Sequence, residues 1–409
     1  MLQRPSPTPY PDRGSGVDRG LLRICVIGSG TRFLSGISYY TNRLARELSA
    51  SHRVSVMLMR QLMPSRFYPG RARVGQTLAD LTYPSDVEVL DGVDWFWGRT
   101  LVPALALLRR ERPAVVVMQW WTGTVLHTYL VLAVAARLLG AKVVIEYHEV
   151  LDTGELGIAP ARWYVSRVAP LLFRLADGAM FHNEFDRHAL MSHYKLDERP
   201  SVIAQHGPYD QYLAPDTSEP DSDQSRLDSE ICHLLYLGVI RPFKGVEDLV
   251  AAFELLSDDD VRRFRLTIVG ETWEGWTLPA EMIARSPRRD SISFVNRYVS
   301  DEEVGQFFGA ADAVVLPYHR SSASGPLHLA MAHGLPVIVS AVGGLVEAVE
   351  GYEGAITVPP RDPSAIADAL LRTYDLRGRR FECVHSWQGT VERYDELFRE
   401  ILGSPVGNG

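Results

Sequence analysis

The sequence predicts an α/β protein built as two doubly wound domains in tandem, each around a parallel sheet. Three observations carry this. Short β-branched runs alternate with longer helical stretches, which is the pattern of repeated βαβ units. The alternation stops once, at 210–230, and then restarts. The 409 residues exceed one ordinary core and suit two.

The first alternation predicts strands at Leu22–Ile27, Val54–Met59, Ala114–Met118, Lys142–Tyr147 and Gly178–Phe181. Helices are expected from about Ile37 to Ser49 and near 124–139, 160–176 and 184–193. The stretch Asp210–Glu230 is rich in Asp, Ser, Glu and Pro and reads as a linker. After it, strands are expected at Cys232–Leu237, Arg265–Val269, Ser291–Val295, Ala313–Leu316, Pro336–Val339 and Ala355–Val358. A helix opens at Val246, another spans Leu327–His333, and a last one runs near 387–402. The expected domains are therefore 21–209 and 231–385, after a flexible tail at 1–20. The C-terminal segment 386–409 forms a helix and tail that can pack back on the first domain.

Composition excludes several classes. Hydrophobic residues at 46% and charged residues at 22% rule out a disordered or fibrous chain. Residues 1–209 carry 24 Lys/Arg against 18 Asp/Glu, while residues 210–409 carry 18 against 32. Neither half is basic enough for bulk nucleic-acid binding. Cys25, Cys232 and Cys383 are sparse and far apart, which suits reduced, buried thiols rather than disulfides. The longest apolar stretch, Val125–Ala136, is shorter than a spanning helix and contains His127. The expectation is a cytoplasmic protein.

Ligands of such sheets lie at the carboxyl ends of the strands. Gly28-Ser-Gly30 leads through Ser35 and Gly36 into the first helix, so backbone N–H groups can approach a phosphate. The second strand ends Met57-Leu58-Met59-Arg60, without the acid that binds a dinucleotide ribose, which disfavours an NAD oxidoreductase. Gly238-Val-Ile-Arg241-Pro-Phe-Lys244-Gly245 places two cations and two glycines between a strand and a helix. The cations neutralise a diphosphate and the glycines let it come close. Ser324 is a good N-cap for a helix opening at Gly325-Pro326, and Gly334 ends it. Val342-Gly343-Gly344 with Glu347 is a weaker turn signal.

His148 and Glu149 follow a strand, with Asp152 just beyond, and a strand-end imidazole there points to the cleft. His319 is a further candidate at the cleft or acceptor side. His182 and His206 also follow strands, but their spacings are not ligand spacings on one element, so no metal is expected. Asp221-Ser-Asp223 and Asp258-Asp-Asp260 read as solvated turns.

In the order of these motifs the chain resembles glycosyltransferase family 4, retaining nucleotide-sugar transferases of the GT-B fold. The resemblance covers about residues 22–402 and is most specific at Arg241 and Lys244-Gly245. It implies two Rossmann-like domains facing across a cleft, the first for the acceptor and the second for the donor. It implies that Arg241 and Lys244 bind the donor diphosphate, that Ser35-Gly36 touches it from the other domain, and that His148 assists beside the transferred sugar. Gly238, Gly245, Ser324 and Gly325 complete the donor site. No cofactor is implied. The chain departs from the family pattern at one place. Two glutamates with seven residues between them are common there, and Ser321 and Leu329 stand at those positions, as in branches with a Ser-Gly pair. The same fold also serves nucleotide-sugar epimerases, phosphorylases and non-catalytic nucleotide-sugar-binding proteins.

Basic residues interleave with aromatics in the first half: Arg60, Arg66, Phe67, Tyr68, Arg71 and Arg73, then Trp95–Trp97 with Arg99, Arg109, Arg110 and Arg112. Arg162, Trp163, Tyr164, Arg167 and Arg174 add to them. That composition suits an anionic membrane surface on the inner leaflet. The expected acceptor is a glycan or lipid-linked molecule, and the expected pathway is cell-envelope glycan synthesis.

Overall fold

The structure is a computed structural model that describes residues 21–30, 36–61, 81–149, 159–194, 198–209, 230–273 and 275–403. Ser35, Asp152, the 1–20 tail, most of the 210–230 linker and the run Arg66–Arg73 lie outside the described residues.

Two parallel sheets form. In the first, strands β1 (Arg23–Ser29), β2 (Arg53–Gln61), β3 (Glu88–Asp94), β4 (Val115–Trp120), β5 (Lys142–Tyr147), β6 (Gly178–Phe181) and β7 (Ser201–Ile203) are ordered β3-β2-β1-β4-β5-β6-β7. In the second, β8 (Cys232–Leu237), β9 (Phe264–Val269), β10 (Ile292–Val295), β11 (Ala313–Leu316), β12 (Val337–Ser340) and β13 (Ala355–Val358) are ordered β10-β9-β8-β11-β12-β13. Both orders reverse direction once, between β1 and β4 and between β8 and β11, so each sheet has a topological switch point.

Helices cover the sheets. The first domain has α1 (Gly36–Ser49), α2 (Leu101–Glu111), α3 (Leu126–Leu138), α4 (Ala159–Leu175) and α5 (Glu184–Tyr194). The second has α6 (Val246–Glu254), α7 (Asp258–Val261), α8 (Leu278–Arg285), α9 (Asp301–Ala310), α10 (Gly325–Ala332), α11 (Gly344–Ala348) and α12 (Pro363–Tyr374). The interior strands are buried on both faces, so they read as continuous apolar runs such as Val115–Met118 and Ala313–Leu316.

The last helix, α13 (Trp387–Leu402), crosses back to the first domain. Ser386 caps it, accepting from the Gly389 N–H at 3.0 Å, and Gly403 ends it at φ +72°. Its buried stripe is Trp387, Tyr394, Leu397, Phe398 and Ile401. That stripe shares one apolar cluster with Ile24 and Val26 of β1 and Tyr40 and Leu44 of α1. The Trp387 indole donates to the Pro208 carbonyl at 2.8 Å, and the Thr390 hydroxyl donates to Gln205 at 3.0 Å.

Some elements differ from the sequence reading. β3 is an edge strand whose Asp91 and Gly92 interrupt the apolar pattern, and β7 is only three residues long. Neither offers a run long enough to recognise. Cys25 and Cys232 are buried, but Cys383 is only half-buried.

Candidate active site

A cavity of about 270 Å³ lies where the two domains meet. Gly36 and Tyr39 of α1, with Tyr209, line it from the first domain; Gly238, Gly270, Trp273 and Gly325 line it from the second. The cavity therefore sits at the carboxyl ends of the switch-point strands β1 and β8.

The loop after β8 is shaped by glycine. Gly245 has φ +62°, and a Cβ on it would run into the Pro317 carbonyl. Gly238 and Gly270 have φ of +151° and +154°, and a Cβ on Gly270 would strike the Gly238 carbonyl. The ends of β8 and β9 thus pack backbone to backbone. A single 3₁₀ turn, Pro242–Lys244, then presents Arg241 and Lys244, both half-buried. The Arg241 guanidinium lies 5.5 Å from the Trp273 ring centroid, and the Lys244 ammonium lies 3.7 Å from that of Tyr318. Both cations therefore lie against aromatic rings. Among the described residues no carboxylate lies within ion-pair distance of Lys244.

His319 supports this loop. Its Nε2 lies 2.7 Å from Asp248 Oδ2, and its backbone N–H donates to the Phe243 carbonyl at 2.9 Å. It is a brace behind Lys244 in the second domain, not an acceptor-side group. Ser324 is buried and caps α10, and its hydroxyl lies 3.3 Å from that of Tyr318. Gly325 is exposed on the cavity wall, so the N-terminus of α10 faces the space. Leu329, at one of the two positions where glutamate is common, is also on the wall.

His148 is placed differently from the expectation. It is only 6% exposed and is not on the cavity wall. Its ring packs edge-on to Tyr40 and lies 4.6 Å from the ring of His182. The ends of β5, β6 and β7 converge beneath α1 here, which buries what the sequence reading took for a cleft-facing group. His206 is one layer nearer the cavity, with Nδ1 3.3 Å from the hydroxyl of the wall residue Tyr209. Burial keeps the His182 imidazolium from forming, pulling its pKa to about 4, and burial pulls His206 well below the usual range. Burial would raise the Glu146 carboxyl, but His148 and His182 beside it hold it down at about 2. Glu149 is exposed.

Several wall residues were not anticipated: Glu271 and Trp273 after β9, and Arg297, Tyr298 and Asp301 after β10. Glu271 accepts from the Trp273 indole at 2.9 Å. Tyr39 donates to Asp301 across the domain boundary. Ser300 and Glu303 form a capping box on α9, a spacing readable in the sequence that marks where this wall begins. A second link between domains is Glu347, whose carboxylate accepts from the N–H groups of Glu184 and Phe185 at 2.6 and 2.9 Å. It caps α5 from the other domain. Asn183 donates to the Ser322 carbonyl at 3.0 Å beside it.

Residues 35–209 match the family described as "Glycosyl transferase 4-like domain", and residues 232–375 match "Glycosyl transferases group 1". The first match takes in β2 to β7 of the first sheet, and the second takes in the whole of the other. The chain belongs to the family 4 glycosyltransferases. This glycosyltransferase is 36% identical over 163 residues to a D-inositol 3-phosphate glycosyltransferase of Frankia alni, covering 37% of this chain and 40% of that one. It is 29% identical over 143 residues to the O-antigen chain mannosyltransferase B of Escherichia coli, covering 34% and 36%. The chain spans between 40% and 58% of the length of the first five curated relatives it matches. Among solved structures, a glycosyltransferase of Rickettsia africae superposes with TM-score 0.66 at 16% identity, covering 94% of this chain and 100% of that one. Anabaena HepE in complex with UDP and glucose superposes with TM-score 0.60 at 18% identity, covering 92% and 99%. The glycosyltransferase therefore has the GT-B fold. No helix among its described residues is long and apolar enough to cross a membrane.

Proposed function

We propose that this glycosyltransferase moves a hexosyl group from a nucleoside-diphosphate sugar to a glycan or lipid-linked acceptor, with retention at the anomeric carbon. The observation that carries this is the Arg241–Gly245 loop: its two cations are not on the cavity wall, but the loop continues from the wall residues Gly238 and Val239, and Arg241 packs on the wall residue Trp273, in a cavity that Gly36 and Gly325 reach from opposite domains. The diphosphate lies along Gly238, Arg241, Lys244 and Gly245, with the N-terminus of α10 at Ser324-Gly325 and the start of α1 at Gly36 completing the cradle. Anabaena HepE, solved with UDP and glucose, has the same fold.

In the reaction the bond from the anomeric carbon to the phosphate oxygen breaks, and the acceptor oxygen bonds to that carbon on the same face. The acceptor proton goes to the departing phosphate oxygen. Negative charge grows on the diphosphate, where Arg241, Lys244 and the N–H groups already stand, and such preorganised charge is the largest catalytic effect available. No covalent enzyme intermediate is needed. The wall carboxylates fit that reading, because Glu271 holds the Trp273 indole and Asp301 holds Tyr39. With Leu329 where glutamate is common, the ribose must find its polar contacts elsewhere, and the described wall offers Glu271, Arg297 and Asp301.

The acceptor side is the first domain. Trp97, Val102, Trp163 and Leu171 are 64%, 70%, 63% and 53% exposed, and Arg99, Arg109, Arg112 and Arg167 lie in the same segments. This supports a lipid-linked acceptor met at an anionic cytoplasmic leaflet. Arg60 does not contribute, because it forms a two-pronged pair with Asp94. The test is product analysis with a panel of nucleoside-diphosphate sugars and acceptors, reading the anomeric configuration by NMR. An inverted product, or no turnover with any donor that binds, removes the proposal. Cosedimentation with anionic vesicles at low salt tests the membrane arm, and no binding there leaves a soluble acceptor.

A further inference from the structure

Three buried imidazoles meet at one point behind the cavity. His148 follows β5, His182 follows β6, and His206 lies three residues past β7. These strands are neighbours in the sheet, about 4.8 Å apart, so the residues just past their ends are neighbours too. The ring centroids of His148 and His182 lie 4.6 Å apart, and those of His182 and His206 lie 4.1 Å apart. The three side chains are 6%, 2% and 6% exposed in that order. One ring nitrogen from each lies within 4.8 Å of the other two.

The hydrogen bonding at this point is incomplete in a specific way. Nε2 of all three histidines is buried and has no hydrogen-bond partner. Nδ1 of His182 lies 2.8 Å from the Ala204 carbonyl, which can only accept, so Nδ1 carries the proton and Nε2 carries a lone pair. Fixing the outer nitrogen of an imidazole on a backbone carbonyl is how proteins orient a metal-binding histidine. Glu146 of β5, fully buried, reaches the same point. Its Oε1 lies 3.5 Å from His182 Nε2, and its Oε2 lies 3.5 Å from His148 Nε2. Gln119 donates to Oε2 at 3.0 Å, and Oε1 has no hydrogen-bond partner. A simple Glu146–His148 ion pair accounts for one imidazole. It leaves the buried Nε2 atoms of His182 and His206 without a hydrogen-bond partner.

We propose that His148, His182 and His206, with Glu146, hold one divalent transition-metal ion of the zinc class. Three imidazoles and a carboxylate are a common tetrahedral donor set for such an ion. Bonds of about 2.0–2.1 Å set the edges of that tetrahedron at roughly 3.4 Å. The 3.5 Å separations run to different oxygens of Glu146, Oε1 for His182 and Oε2 for His148, so the carboxylate must turn to present one oxygen to both. Small rotations of the rings bring the remaining nitrogens in.

None of the four residues lines the cavity, so the ion does not touch the leaving diphosphate. Its effect is on the interface. The His206 ring stacks on His328 of α10 at 5.1 Å and 15°, and α10 carries the Ser324-Gly325 end of the cavity. An ion here fixes the ends of β5, β6 and β7 as the surface on which α10 rests.

The test uses tag-free protein, stripped with chelator and dialysed against micromolar zinc. Elemental analysis is expected to find one zinc per chain. Cobalt loading is expected to give the intense visible bands of a tetrahedral site. His182→Asn and His206→Gln are each expected to weaken zinc binding by about 100-fold or more, since even outer-shell partners are worth 10–100-fold. X-ray absorption of the zinc-loaded wild-type protein reads the ligands without any substitution, so the proposal stays testable if a variant fails to fold. A shell dominated by imidazole nitrogen supports it. No zinc retained by the wild type, an oxygen-only shell, or unchanged affinity in folded variants overturns it. Calorimetry with UDP, GDP and ADP on the zinc-loaded and stripped protein separates this from the donor proposal, because loss of nucleotide binding alone speaks only to the latter.

Discussion

Replacing Lys244 with alanine isolates the charge that the donor reading needs most. Lys244 is half-buried, sits 3.7 Å from the Tyr318 ring centroid and, among the described residues, has no carboxylate to release. Its removal therefore costs the fold little, about 0.5–1 kcal/mol for the lost cation–π contact. A charge-assisted hydrogen bond to a phosphate oxygen is worth about 1.5–3 kcal/mol. At 1.4 kcal/mol per tenfold, Lys244→Ala is expected to weaken nucleoside-diphosphate binding roughly 10- to 150-fold. Lys244→Arg keeps the charge and is expected to recover most of that loss. Calorimetry with UDP, GDP and ADP at one fixed salt concentration measures it, with the melting temperature read alongside. Unchanged affinity in Lys244→Ala, with the fold intact, refutes the cradle. So does an affinity loss that tracks a comparable loss of stability, because Lys244 would then be holding the loop rather than the ligand.

Gly245→Ala is expected to disrupt the same loop by sterics alone. The φ of +62° costs about 1–2 kcal/mol with a Cβ, before the collision with the Pro317 carbonyl is counted; a melting temperature equal to wild type would contradict this. Glu347→Ala removes a carboxylate that accepts two N–H bonds at the start of α5 from the other domain, and about 1.5–3 kcal/mol of that contact goes with it. Small-angle scattering is expected to show a looser pair of domains, and an unchanged profile with unchanged stability would count against the link. Stability is expected to fall as pH drops from about 6.5 towards 3. Burial, then His385 and His182, hold His328 down at about 3, and burial, then Arg380, hold His333 at about 4. The unfolded chain takes up protons at these sites first, which pulls the equilibrium towards it. Thermal melts at constant ionic strength would show the fall, and a flat profile between pH 6.5 and 4 would rule it out.

How much of this was readable follows from what each residue must satisfy alone. Lys142–Tyr147, Cys232–Leu237 and Ala313–Leu316 were placed to the residue, because interior strands covered on both faces can hardly be anything but apolar runs. β3 was lost because an edge strand tolerates Glu88, Asp91 and Asp94. The turn that carries Arg241 and Lys244 was legible as a feature, because two cations just past a strand stand out in an acidic half. Glu271, Trp273, Arg297 and Asp301 were not, since they follow different strands and become one wall only when β8, β9 and β10 are ordered side by side.

The histidines make the same point more sharply. Taken singly, each strand-end imidazole in this chain is ambiguous between a cleft residue and a satisfied core residue. Spacing along the sequence argued against metal, because ligand spacings are normally judged within one helix or hairpin. A parallel sheet defeats that criterion. Its crossovers set His148 and His182 34 positions apart and His182 and His206 24 positions apart, yet strands β5, β6 and β7 return the three to one edge. The relevant spacing is the distance between neighbouring strands, and strand order is what the sequence leaves open. The same convergence explains why His148 is buried: an imidazole flanked by two strand ends, capped by Tyr40 and backed by the α13 layer, has no open side left.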